Sequence, residues 1–235
     1  MVAEEETLAV AAPQETGDLY REGRMGKKAE TFFSEDDKKK IAESVRSVEC
    51  CTIGEVAVMV VNSSDEYREA TVLGSVLLGS GISLLVSEAF LNASLNYFIL
   101  LSFLFFPIMW MLLHYLPALK TSFVGRGRLE EAVRERAVRA FYEKGLYKTK
   151  ANTGVLFFIS LLEHKVWVLA DKGIYEKIDQ HTLNTYALTV SKGIKEGRAC
   201  DALCLAIKDA GDILTKHFPL TPGDTNELSD HVMTE

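Results

Sequence analysis

The chain has 235 residues, with 26 Lys and Arg against 33 Asp and Glu and a formal net charge of −7. Its mean hydropathy of +0.07 is high for that charge content because the apolar residues are clustered: no charged side chain occurs over 70–87 or over 89–119. This pattern excludes an ordinary soluble globular protein, a disordered chain, a disulfide-stapled mini-domain and a multi-span transporter.

Taken in chain order, residues 1–30 lack periodicity and are rich in Ala, Glu and Gly, which predicts a flexible tail. A helix is expected from Ser34, an N-cap residue with Asp37 three positions on. Glu35, Asp36 and Asp37 suit its dipole, and Ile41, Val45 and Val48 form one apolar face. Residues 53–61 are apolar at nearly every position after Glu55, which predicts a central strand buried on both faces.

The apolar stretch 70–119 comes immediately after. A transmembrane helix needs about 20 apolar residues to cross ~30 Å of hydrocarbon. The stretch is long enough for a transmembrane helical hairpin, with spans at about 70–88 and 96–116. Ser75, Gly79, Ser83 and Ser87 recur every fourth residue, a stripe of small side chains that lets a second helix approach closely. Pro107 lies inside the second span, and Trp110, Tyr115 and Tyr97 suit its two interfaces. Arg68 precedes the hairpin, Lys120, Arg126, Arg128, Arg134, Arg136 and Arg139 come after it, and the connecting turn has no Lys or Arg. The positive-inside rule then places both termini in the cytoplasm, with the basic run beside the lipid headgroups. An acidic start and a first apolar run near residue 70 argue against a signal peptide.

After the hairpin, 129–144 is an amphipathic helix with Val133, Ala137, Ala140 and Phe141 on one side, ended by Gly145. Residues 154–162 and 165–170 are two strands separated by Glu163 and His164, which predicts a tight antiparallel hairpin. Helices over 181–195 and 198–217 close the domain, Pro219 stops the second, and 219–235 is a polar tail. The expected architecture is α/β: a three-layer α/β/α sandwich with a small mixed sheet, formed by 31–69 and 120–218 and interrupted by the hairpin.

Four stretches resemble the TPM domain family, found in thylakoid-lumen and photosystem-repair proteins and in many bacterial membrane proteins. They are Thr52-Ile53-Gly54-Glu55-Val56 at the head of the first strand, the strand Thr153–Leu161, the stretch Val166–Ile174 ending in Asp171-Lys172-Gly173-Ile174, and a closing helix with Ala206, Ile207 and Gly211. The resemblance implies a compact α/β/α domain in a bacterial inner-membrane protein. It also implies an accessory role in the assembly or repair of membrane complexes, and in some members calcium binding or weak acid-phosphatase activity. Here the anchor is internal.

Conventional catalytic signatures are absent: there is no G-x-S-x-G, no P-loop, no G-x-G-x-x-G and no H-E-x-x-H, and no histidine has another at i+3 or i+4. The four cysteines suit a reducing compartment. Cys50 and Cys51 are adjacent, Cys200 and Cys204 lie at i, i+4, neither pair has zinc-ribbon spacing, and small core filler is the expected role. The candidate site is carboxylate-based. Glu55 enters the first strand and Asp171 ends the third; were those strands neighbours, both would lie near one sheet edge, and with backbone oxygens near Gly173 they would suit a hard cation such as calcium. The plain alternative is an ion-paired Glu55 and a simple turn at Asp171-Lys172-Gly173. Asp224, Asn226, Glu227 and Asp230 lack EF-hand spacing and fit an acidic tail.

Two function classes are compatible with these residues: a membrane-anchored accessory or interaction module at the cytoplasmic face, and a divalent-metal-dependent phosphomonoester hydrolase. The expected partners are the bilayer and a membrane protein or complex. Nucleic acid is excluded because no part is strongly basic, with 9 basic and 16 acidic residues in 1–69 and 17 and 16 in 120–235. A channel is a poor reading because no charge lies inside the spans.

Overall fold

In the computed structural model, which describes residues 9–10, 28–90, 94–149, 151–220 and 230–235, the chain opens with β1 (Ala9–Val10), α1 (Ala29–Phe32) and α2 (Glu35–Glu49). The start of α2 is set locally. Ser34 Oγ accepts from Asp37 N and the Asp37 carboxylate accepts from Ser34 N, both at 3.1 Å, a complete capping box. Next come β2 (Glu55–Val61), α3 (Arg68–Phe90), α4 (Leu95–Tyr115), α5 (Pro117–Lys120) and α6 (Arg126–Glu143). The chain ends with β3 (Gly154–Ser160), β4 (Lys165–Ala170), α7 (Lys172–Tyr175), α8 (Gln180–Lys195), α9 (Ala199–His217) and β5 (Met233–Thr234).

The strands form one mixed sheet in the order β1-β4-β3-β2-β5. β2 and β3 are parallel, from Glu55 opposite Gly154 to Val61 opposite Ser160, whereas β3 and β4 form an antiparallel hairpin. Parallel neighbours need a crossover. Here the whole stretch from β2 to β3, hairpin included, is that crossover, and α6 is its return limb. Side-chain alternation sends β2 to two cores. Val56, Val58 and Val60 join Val155, Phe157 and Ile159 beneath Ile41 and Val45 of α2 and Leu203 and Ile207 of α9. Ala57, Met59 and Val61 join Leu156, Phe158 and Leu169 beneath Val133, Ala137, Ala140 and Phe141 of α6. The result is the three-layer α/β/α sandwich, with α2 and α9 on one face and α6 on the other.

Contacts divide the chain into two units, one of residues 1–64 with 130–235, the other of residues 65–129. The second unit is an antiparallel helical hairpin. The small-residue face of α3 packs on α4: Ser75, Gly79, Ser83 and Ser87 are buried, and a Cβ on Gly79 would stand 3.3 Å from Phe106 N. The buried hydroxyls are satisfied within the hairpin, Ser75 donating to Thr71 O at 2.5 Å, Ser83 to Gly79 O at 2.7 Å and Ser87 to Ser94 O at 3.2 Å. Two of its basic residues pair with acids: Arg68 with Glu66 at 2.5 Å, and Arg128 with Asp65 and, at 3.5 Å, with Glu69.

Several expectations are corrected. The stretches expected as tails contribute strands, β1 along β4 and β5 along β2, because hydrogen bonding to an existing sheet edge does not require an apolar sequence. The turn of the β3–β4 hairpin has four residues, 161–164, not two. Glu163 is turned inward, where its carboxylate accepts from Ser160 Oγ, from Ser64 N at 2.9 Å and from Ser63 Oγ at 3.3 Å. His164 takes φ +54°, a conformation that closes the longer turn.

Candidate functional site

The two ends of the sheet differ in character. At the end where β2 and β3 finish, Glu163 and its serines form a satisfied polar network, and Lys165 pairs with Glu130 of α6 at 2.9 Å. The predicted site residues lie at the other end.

Glu55 is the first residue of β2 and stands opposite Gly154 in the parallel register; its N–H donates to Thr153 O at 3.2 Å. Asp171 comes directly after the last residue of β4, and its N–H donates to Gly154 O at 2.9 Å. The structure therefore brings Glu55 and Asp171 to one sheet end, as expected. It does not make their strands neighbours. β3 lies between them, and at about 4.8 Å per strand their backbones are roughly 10 Å apart.

Asp171 is 8% exposed. Its Oδ1 accepts from Lys172 N at 2.7 Å and so caps α7, while Oδ2 is buried with no hydrogen-bond partner among the described residues. Burial raises its carboxyl above the ordinary carboxylate value, against the lowering effect of the Lys172 N–H. Gly173 is required by close packing: its N–H donates to Asn152 O at 3.0 Å, and a Cβ there would lie 2.6 Å from Ala151 O and 2.7 Å from Asn152 O. Two carbonyl oxygens thus lie close to Gly173, two residues beyond Asp171, one of them already accepting from the Gly173 N–H. This donor set is of the type that hard cations take, and an orphaned carboxylate oxygen is the kind of group a cation would satisfy. Glu55, across β3, is a second buried carboxyl at the same end of the sheet. Among the described residues no three His, Cys, Asp or Glu side chains converge as a metal cluster.

Sequence reasoning missed Glu49 and Asp230. Glu49 ends α2, and its Oε1 accepts from Val56 N at 3.0 Å. Its carboxyl is pushed up to about 8, first by burial, then by the charges of Glu55 and Asp230, with a hydrogen bond to Asp230 keeping the proton; the Val56 N–H opposes this. Asp230 in turn takes Arg46 Nε at 3.0 Å, which ties the β5 segment to α2 and corrects the reading of this residue as part of a plain acidic tail. Asp224, Asn226 and Glu227 lie outside the described residues. One signal for Glu49 was present in the sequence: a carboxylate at a helix C-terminus opposes the dipole and needs another reason to be there.

The sheet end therefore carries two carboxyl groups, Glu49 and Asp171, that resist ionisation through burial. Among the described residues it holds no activated nucleophile beside a base. No family model matches the chain, and a search of the curated proteins finds no match. Among solved structures, the fold is similar to that of BA42 protein from the psychrophilic bacterium Bizionia argentinensis, determined by NMR, with a TM-score of 0.55 and 17% sequence identity over 90% of this chain and 99% of that chain.

Proposed function

We propose that this chain is a membrane-anchored TPM-like domain, an accessory or interaction module held at the cytoplasmic face of a bacterial inner membrane by the α3–α4 hairpin. One observation carries the reading. α4 has a mean hydropathy of 2.0, yet only 6% of its apolar window is buried by protein. A core helix of a soluble domain is covered; α4 instead presents Phe103 at 79% and Leu100 at 67% exposure. At 1.5 Å per residue the 23 residues of α3 and 21 of α4 extend roughly 34 and 31 Å, matching the hydrocarbon thickness. Buried hydroxyls that bond back to helix carbonyls suit a lipid setting, where no water is at hand. The order of motifs shared with the TPM family and the fold likeness to BA42 support the domain type. The partner is a membrane protein or complex that meets the domain at this face.

Membrane anchoring is tested by alkaline extraction of membranes and by reporter fusions after residue 235 and within 89–95. The chain should stay in the pellet, with a cytoplasmic reporter at 235 and an exported one in the turn. A soluble chain or an exported reporter at 235 overturns the reading.

Asp171 Oδ2 favours a second reading, a weak divalent-metal-dependent phosphomonoester hydrolase. In it Asp171, the carbonyls of Ala151 and Asn152 and the charge of Glu55 would hold calcium or magnesium, which supplies Lewis-acid activation of a phosphate oxygen. A cation binding only the folded state adds RT ln(1 + [L]/Kd), about 2.7 kcal/mol at a hundredfold excess over Kd. Calcium should then raise the melting temperature, and Asp171→Asn should abolish the rise. Hydrolysis of a generic phosphate ester that depends on the cation and on Asp171 would support the reading; no calcium shift and no hydrolysis would leave the interaction module alone.

A further inference from the structure

The outer edge of β2 is capped at one end and occupied at the other. Val56 N–H is taken there by Glu49 Oε1 at 3.0 Å, a side chain standing in for a strand. Further along, β5 runs parallel to β2 with Met233 opposite Met59 and Thr234 opposite Val60. Glu235 N donates to Val60 O at 3.1 Å, and Asn62 N and Nδ2 donate to Glu235 O at 2.9 and 3.0 Å. Around this ladder the segment 230–235 is held by four side chains. Asp230 takes Arg46 Nε of α2 at 3.0 Å. Val232 packs on the core beneath α2 and α9, and Met233 packs on the core beneath α6. The Glu235 carboxylate takes Arg136 of α6 and, at 3.3 Å, Lys144 Nζ; Arg136 also holds Glu143 at 3.2 Å.

This arrangement has the form of a peptide laid on a sheet edge, where main-chain bonds supply attachment and sites for alternate side chains supply selection. Adjacent residues of a strand face opposite sides, so Val232 and Met233 meet opposite cores. Cationic clamps, Arg46 on one face and Arg136 with Lys144 on the other, select acidic residues at the two ends of the segment. The segment is also lightly held. Its strand has two residues, Val232 and Met233 are only half-buried and Arg46 is 70% exposed, which sets this contact at the low end of local stability. β2 itself is buried along its whole length, and an empty edge would leave its outward N–H and C=O groups without a strand. A weakly held occupant on an edge that needs one is open to exchange.

We propose that the outer edge of β2 accepts an extended segment of a partner protein, with acidic residues at its first and sixth positions and apolar residues at its third and fourth, and that residues 230–235 fill the site in cis until such a segment displaces them. This rests on the reading of the domain as an interaction module and names the surface it uses. The test takes the full chain in detergent and a fluorescein-labelled peptide copying residues 230–235, followed by fluorescence polarisation. The wild type should bind it weakly, because its own segment competes. The double variant Val232→Ser, Met233→Ser keeps the acceptor and loosens the occupant; with the site vacant in more molecules it should bind about tenfold more tightly. Arg136→Ala added to that variant should weaken binding about tenfold, and a peptide with lysine at both acidic positions should not bind. Far-UV circular dichroism checks that each variant is folded. In the wild type, which needs no variant, saturating peptide should speed amide hydrogen exchange of residues 233–235 and leave β2 protected. The proposal is overturned by wild-type exchange that does not change, by a folded double variant that binds no more tightly than the wild type, by equal binding of the lysine peptide, or by a wild-type dimer that the double variant dissolves, which would give the edge to a second copy. Alkaline extraction of membranes reads anchoring separately, so failure here and failure of the membrane reading are distinguishable.

Discussion

Residues 130–235 should fail to fold without the segment that precedes the hairpin, whereas loss of the hairpin itself should leave the domain folded. β2 supplies Val56, Val58 and Val60 to one core and Met59 and Val61 to the other, and α2 adds Ile41, Val45 and Val48. These eight side chains are all at most 6% exposed. At about 1.5–3 kcal/mol for each large apolar side chain buried, their loss removes on the order of 12–24 kcal/mol. A typical domain is stable by only about 5–15 kcal/mol. A chain of residues 130–235 alone should therefore show no cooperative transition in urea and poor amide dispersion by NMR. A chain in which a Gly/Ser linker replaces 65–129 keeps both cores and should unfold cooperatively. Cooperative unfolding of 130–235 at the midpoint of the linker-joined chain would refute a domain that folds across its insertion.

Glu49 should make stability fall as pH rises. Its folded carboxyl titrates near 8 against an ordinary value of 4.5, so the native state holds the proton that the unfolded chain releases, and stability is lost progressively as pH rises from about 4.5 to 8. Glu49→Gln keeps the acceptor for Val56 N and should flatten that dependence, read as melting temperatures from pH 5 to 8.5; a variant with the wild-type slope would refute the assignment. Ser34→Ala removes the hydroxyl half of the capping box and should cost about 1 kcal/mol in urea unfolding. Gly173→Ala sets a Cβ against the Ala151 and Asn152 carbonyls and should cost about 1–3 kcal/mol, and an unchanged midpoint would mean that the loop yields freely.

Features that depend on neighbours in the chain were legible in the residues themselves. The cap at Ser34 and Asp37 is closed within four positions. The hairpin is implied by two charge-free stretches and the four-residue spacing of Ser75, Gly79, Ser83 and Ser87, since one helix face is set by the helical repeat. The runs at 154–160 and 165–170 declared themselves as strands by apolar content. Which strand is flanked by which was decided elsewhere. An all-apolar strand such as β2 is compatible with any interior place in a sheet, and only the crossover through α6 sets it parallel to β3 and puts β3 in the middle. β1 and β5 exist because β4 and β2 offer backbone edges to them, a long-range pairing with no local signature. The same holds for the site. Asp171 and Gly173 could be singled out from their turn, but the β3 strand standing between Glu55 and Asp171, and the meeting of Glu49 with Asp230, depend on register between segments far apart in the chain, which local residue preferences do not encode.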